Sequence, residues 1–82
     1  MEAAVLEVET PAMKTIAVDS STLRTVGYDA EHQLLQIKFH NRSIYQYFEV
    51  PATVYEELMQ APSKGAYFNR SIRSRFDFTL IN

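Results

Sequence analysis

The feature that most constrains this chain is an alternation. Leu35, Ile37 and Phe39 are interleaved with Gln36, Lys38 and His40, the two-residue period of a strand that buries one face. Asn41 tolerates a left-handed backbone and suits a turn. Beyond it, Ile44-Tyr45-Gln46-Tyr47-Phe48 is rich in the aromatic residues that favour strands. The stretch predicts two neighbouring strands joined by a tight reversal, and the rest of the chain is expected to cover or extend this hairpin.

The flanking segments follow from the same logic. Ile16 and Val18 alternate with Ala17 and Asp19, which predicts a short first strand. Asp19-Ser20-Ser21-Thr22 then offers side chains that bond nearby backbone amides, so the chain turns there. The paired serines have no base and orienting acid beside them, which sets aside a nucleophile. Thr25 to Asp29 reads as the next strand, with Gly27 hinting at a bulge or a close backbone approach. The polar run Asp29 to Gln33 is a hairpin connection with a solvated His32.

After Val50-Pro51 the period changes. Proline suits the first turn of a helix, and Val54, Tyr55, Leu58 and Ala61 share one helical face, with Glu56 and Gln60 opposite. Pro62 stops that helix. Ser63 is placed to cap a second helix from Lys64 to about Arg73. In this second helix Phe68, Ile72 and Gly65 should face the core, with Arg70 and Arg73 toward solvent. Phe76, Phe78 and Leu80 then alternate with Asp77, Thr79 and Ile81, a candidate closing strand at a sheet edge. The predicted fold class is α+β: a mainly antiparallel meander with two short helices packed on one face. Residues 1–12 read as a loose lead-in, because glutamates and Pro11 interrupt the apolar Val5, Leu6 and Val8. Residues 13–82 read as a single domain.

Composition narrows the function classes. There is no cysteine, so no disulfide or thiolate site can supplement the core, and a cytoplasmic location is the expectation. Two histidines are too few for a zinc site, and no apolar run spans a bilayer. No phosphate loop, metal motif or carboxylate pair at catalytic spacing occurs. The expectation is a protein that is not an enzyme, with no cofactor, no metal and no membrane role. Residues 1–57 carry four cations against nine acids, a net charge of -5, and residues 58–82 carry four cations against one acid, a net charge of +3. Such a basic end attracts anions. Cations also collect near helix C-termini, where they complement the backbone dipole.

Several pieces together resemble the KTSC domain family: Val18-Asp19-Ser20-Ser21, Val26-Gly27-Tyr28-Asp29, Leu35, Ile37 and Phe39, Tyr45-Gln46-Tyr47, Val50-Pro51 with Val54-Tyr55 and Leu58, and Ala61, Ser63, Gly65, Tyr67-Phe68-Asn69 and Ile72-Arg73. The resemblance runs from about Val18 to Phe76, and the Tyr-x-Tyr is the family's hallmark. The family is named for its occurrence at the C-terminus of some lysyl-tRNA synthetases and also exists free-standing. The resemblance implies a small module without catalytic activity, with RNA binding inferred from that association. Where the family places glycine before the tyrosines, this chain has Arg42, which suits a two-residue mirror-type turn less well. A longer loop is therefore open.

The RNA reading needs aromatic faces for bases and cations for phosphates. Its candidate residues are Lys38, Tyr45, Tyr47, Lys64, Arg70, Arg73 and Arg75. A two-residue turn at Asn41-Arg42 would set Lys38 opposite Tyr45 and Gln36 opposite Tyr47, with both tyrosines on the polar face. A register shifted by one residue sends both tyrosines inward beside Ile37 and Phe39. The inward register is favoured, because the outward one would put Gln46 on the core face. Ser63-Lys64-Gly65 is a second anion candidate, or simply a capped helix start. A protein-interaction module without a nucleic-acid role, using the edge of the closing strand, is the alternative.

Overall fold

A computed structural model describes residues 14–81, so the lead-in read over residues 1–12 lies outside the described residues. Strands β1 (Thr15–Ala17), β2 (Leu23–Asp29), β3 (Leu34–Phe39) and β4 (Ile44–Tyr47) come first. Helices α1 (Ala52–Gln60) and α2 (Lys64–Ser71) follow, and β5 (Phe78–Leu80) closes the order. The five strands form one sheet in sequence order, every neighbouring pair antiparallel. The fold class is α+β, as the segregated strand and helix patterns predict.

The β3–β4 register resolves the tyrosine question. Leu35 pairs with Tyr47, Gln36 with Gln46, Ile37 with Tyr45 and Lys38 with Ile44. The loop is one residue longer than a two-residue turn. Arg42 N–H donates to the Phe39 carbonyl and Phe39 N–H to the Ser43 carbonyl, both at 2.9 Å, with Arg42 at φ 76°. That is a three-residue reversal ending in a left-handed residue. Both tyrosines therefore share the inner face with Leu35 and Ile37, and the pairing of Lys38 with Tyr45 is corrected. The outer face carries Gln36 and Gln46, whose side chains bond across the strands at 3.0 Å.

The core lies between this inner face and the helices. Leu23, Val26, Leu35, Ile37, Val50, Leu58 and Ile72 are fully buried, joined by Tyr47, Tyr67 and Phe68. Helix α1 follows Pro51, whose carbonyl accepts from Val54 N–H. The helix turns Leu58 fully inward, with Val54, Tyr55 and Ala61 packed beside it. Tyr55 stacks on Tyr28 at 4.7 Å, and the Tyr28 hydroxyl donates to the Val50 carbonyl. Ser63 caps α2 by accepting from Ala66 N–H at 3.2 Å. Gly65 is buried against the loop before β2, where a Cβ would lie 3.0 Å from Thr22 Oγ1.

Three local expectations are corrected. The irregularity in β2 falls between Leu23 and Thr25, whereas Gly27 pairs in register with both Thr15 and Gln36. The β1 strand ends at Ala17, and Val18 N–H reaches the Arg24 carbonyl at 3.1 Å. Helix α2 ends at Ser71 rather than about Arg73, because the Phe68 carbonyl accepts from both Ile72 and Arg73 N–H and the chain turns away. The Ser20 turn behaves as read: its hydroxyl accepts from the N–H groups of Thr22 and Leu23, each at 3.1 Å.

Candidate functional site

The helices do not cover the whole inner face. Where they stop, near the β3–β4 reversal and β5, the surface holds an open cleft of about 370 Å³. Its sheet side is Phe39, Tyr45, Tyr47 and Phe78, its helix side is Phe68, Asn69 and Arg73 from α2 and the turn after it, and its mouth is Thr22 and Asn41. Alternation along β4 aims Tyr45 and Tyr47 the same way, and β5 continues their rows, with Phe78 paired to Tyr47 and Leu80 to Tyr45.

The aromatic rings form a connected wall. Phe39 meets Tyr45 and Phe68 edge-on at 5.6 and 5.4 Å, and Tyr47 meets Phe68 at 5.5 Å. The Phe78 ring is tilted against Tyr45 at 5.4 Å and Tyr47 at 5.6 Å. Edge-on contacts set the electropositive ring edge against the electronegative face of the next ring. Tyr47 is 3% exposed and Phe78 52%, so the inner ring supports the outer one.

Burial pushes the Tyr47 phenol up to about 12, with Tyr45 adding to the rise and Arg73 opposing it. The hydroxyl is therefore a neutral donor at ordinary pH. Tyr67 is raised by burial and by its 2.8 Å hydrogen bond to Glu57 Oε1. Among the described residues no carboxylate lines the cleft, so Arg73 gives it a positive character.

Of the seven residues singled out from sequence, the structure brings Tyr45, Tyr47 and Arg73 to one cleft. Lys64 lines a separate polar recess of about 290 Å³ with Ser20, Ser21 and Gly65, and its Nζ donates to the Ala61 carbonyl at 3.2 Å. Thr22 and Asn69 border both spaces. Arg70 lies over the Tyr67 ring at 5.5 Å and Arg75 over Phe76 at 5.8 Å. Lys38 faces the other side of the sheet, because the register makes it a neighbour of Ile44. Phe68, Asn69, Phe78 and Asn41 are cleft residues that sequence reasoning missed. The alternation of Phe78 with Thr79 and the inward setting of Phe68 were the available signals.

A small donor cluster sits at the far end of the sheet. Asp29, Glu31 and His32 bring ligand atoms within 4.8 Å of one another. Asp29 is already engaged by the turn: its Oδ1 accepts from Glu31 N–H at 3.1 Å, and its Oδ2 lies 2.8 Å from His32 Nδ1. That contact lowers the Asp29 pKa and raises that of His32. Among the described residues no helix is long and apolar enough to cross a membrane.

Comparison with known proteins gives a consistent result. A family model described as the KTSC domain matches residues 19–76. A solved KTSC domain protein from Yersinia pestis superposes with a TM-score of 0.84 at 35% identity, covering 87% of this chain and all of that one. A lysine–tRNA ligase of Nostoc punctiforme is 39% identical over 71 residues, which are 87% of this chain but 13% of the ligase. An uncharacterized protein of Stutzerimonas stutzeri is 43% identical over 58 residues, 71% of this chain and 82% of that protein.

Proposed function

The chain belongs to the KTSC domain family, and we propose that it is a small non-catalytic module that binds single-stranded RNA through the aromatic cleft. One observation carries this reading: Tyr45, Phe78 and Arg73 open onto a single cleft that no carboxylate among the described residues lines. Exposed aromatic faces accept bases, and a guanidinium beside them accepts phosphate. The Nostoc punctiforme relative, a lysine–tRNA ligase, gives a context in which an RNA-binding module would be useful. A cytoplasmic location belongs to the same reading.

The test is binding of single-stranded RNA at several salt concentrations. Replacing Arg70 and Arg73 together by alanine should leave stability within about half a kcal/mol per site. The double variant should bind more weakly and with a shallower salt dependence, because fewer counterions are released. Glu56→Ala on α1 serves as the control. Absence of wild-type binding even at low salt sinks the RNA reading.

The second reading is a protein-interaction module, favoured by the open edge of β5. Phe78, Leu80 and Ile81 there are 52%, 55% and 47% exposed, and unpaired strand edges accept further strands.

A further inference from the structure

We infer that the cleft takes one unstacked nucleotide, its base against Tyr45 and Phe78 and its phosphate at Arg73. This rests on the RNA reading above and narrows it. Binders that hold long single strands without sequence preference stack successive bases along an aromatic groove. Among the described residues the sheet offers no such exposed run. Toward β3 the inner face is closed by the helices, with Leu35 and Ile37 fully buried. The uncovered part is bounded by Phe68 and Asn69 on one side and by Asn41 at the mouth. Its volume of about 370 Å³ lies near the lower end of ligand pockets, roughly 300–1,000 Å³. A single base with its sugar fits that scale better than a stack.

The wall chemistry agrees with a base. Phe78 and Tyr45 touch, with ring centroids 5.4 Å apart and planes tilted by 51°, so together they offer one continuous aromatic surface on which a flat ring lies, stacked on one and meeting the other at an angle. The Asn41 Oδ1 already accepts from Ser43 N–H at 2.9 Å, which leaves its amide nitrogen to donate to a base edge. Asn69 brings a second carboxamide, with both donor and acceptor capacity. The Tyr47 phenol is neutral near pH 7, as tyrosines are, and burial only raises its value further, so it adds no negative charge that would repel a phosphate.

An unpaired base in RNA and a free mononucleotide share this chemistry. The experiment therefore titrates the full chain with three probes: a short single-stranded RNA carrying one 2-aminopurine, the same RNA in a duplex, and adenosine 5′-monophosphate. The single strand should bind one-to-one with quenched 2-aminopurine fluorescence, and the duplex should bind far more weakly. Phe78→Ala should weaken binding about fivefold or more and abolish the quenching. Arg73→Gln should weaken it and reduce the salt slope by about 0.7. Thermal melts check that both variants remain folded.

Tighter binding of RNA than of the mononucleotide assigns the site to a strand, and equal binding assigns it to a free nucleotide. If RNA binds but neither variant changes affinity or quenching, the nucleotide site is overturned while the RNA reading stands. If only the mononucleotide binds, and both variants weaken it, the cleft assignment stands and the RNA reading falls. Failure of both ligands to bind overturns both.

Discussion

Two rows of side chains cross the inner face of the sheet, and each changes character between the centre and the margin. One row runs Leu35, Tyr47, Phe78 and the other Ile37, Tyr45, Leu80. Along the first, exposure climbs from 0% to 3% to 52%, and along the second from 0% at Ile37 to 55% at Leu80, with Tyr45 half-buried between. The parity of all six is the same. Only the cover differs: Leu58, Phe68 and Ile72 from the helical segment close the centre, while the margin is left to its own rings. Register decides which face a side chain takes, but the reach of the helices decides whether that face becomes core or site.

The largest test of this contrast is at Tyr47. It is buried among Phe68, Tyr45 and Phe78, so Tyr47→Ala should cost about 3–5 kcal/mol. That is a large share of the 5–15 kcal/mol expected of a whole domain, and chemical denaturation should show a much lower midpoint. Phe78 continues the same row, yet half of its surface is already in water. Phe78→Ala should cost only about 1 kcal/mol in the same measurement. Equal losses at the two positions would break the contrast, because the margin would then be as much a part of the core as the centre.

Much of this was legible in the sequence. Alternation at Leu35, Ile37 and Phe39 places the core face, and the parity of Gln46 favours the inward register that the β3–β4 pairing then shows. Pro51 and Ser63 mark the helix starts through backbone chemistry that acts locally. The cleft was less legible because it is a tertiary feature. Asn69 and Phe78 lie in different elements and meet only when β5 pairs with β4. Lys38 was grouped with the tyrosines in one of two registers, and a single extra loop residue turned the tyrosines to the face opposite it. The bulge in β2 is a mismatch between two strands at Leu23 and Thr25. A glycine in one strand does not encode it.

The smallest effect is expected at the loop that joins the centre to the margin. Arg42 holds φ at 76°, a left-handed conformation that costs a side-chain-bearing residue roughly 1–2 kcal/mol. The three-residue reversal needs this geometry. It lets Arg42 N–H reach the Phe39 carbonyl and returns the chain so that Ser43 meets Phe39. Glycine adopts the same backbone without the steric cost, but it also gives the unfolded chain more freedom, worth about 0.4–1 kcal/mol. The Arg42 side chain also has a partner that the substitution removes, so Arg42→Gly should change stability by less than about 1 kcal/mol in either direction, read as a small shift of the denaturation midpoint with an unchanged slope. The register should be preserved, so cross-strand contacts between the Ile37 and Tyr45 amide neighbourhoods should persist in nuclear magnetic resonance spectra. A larger loss of stability would mean that the Arg42 side chain contributes more to holding the loop than its backbone strain costs. A change of register would mean that this residue, by enforcing the longer loop, is what turns both tyrosines inward.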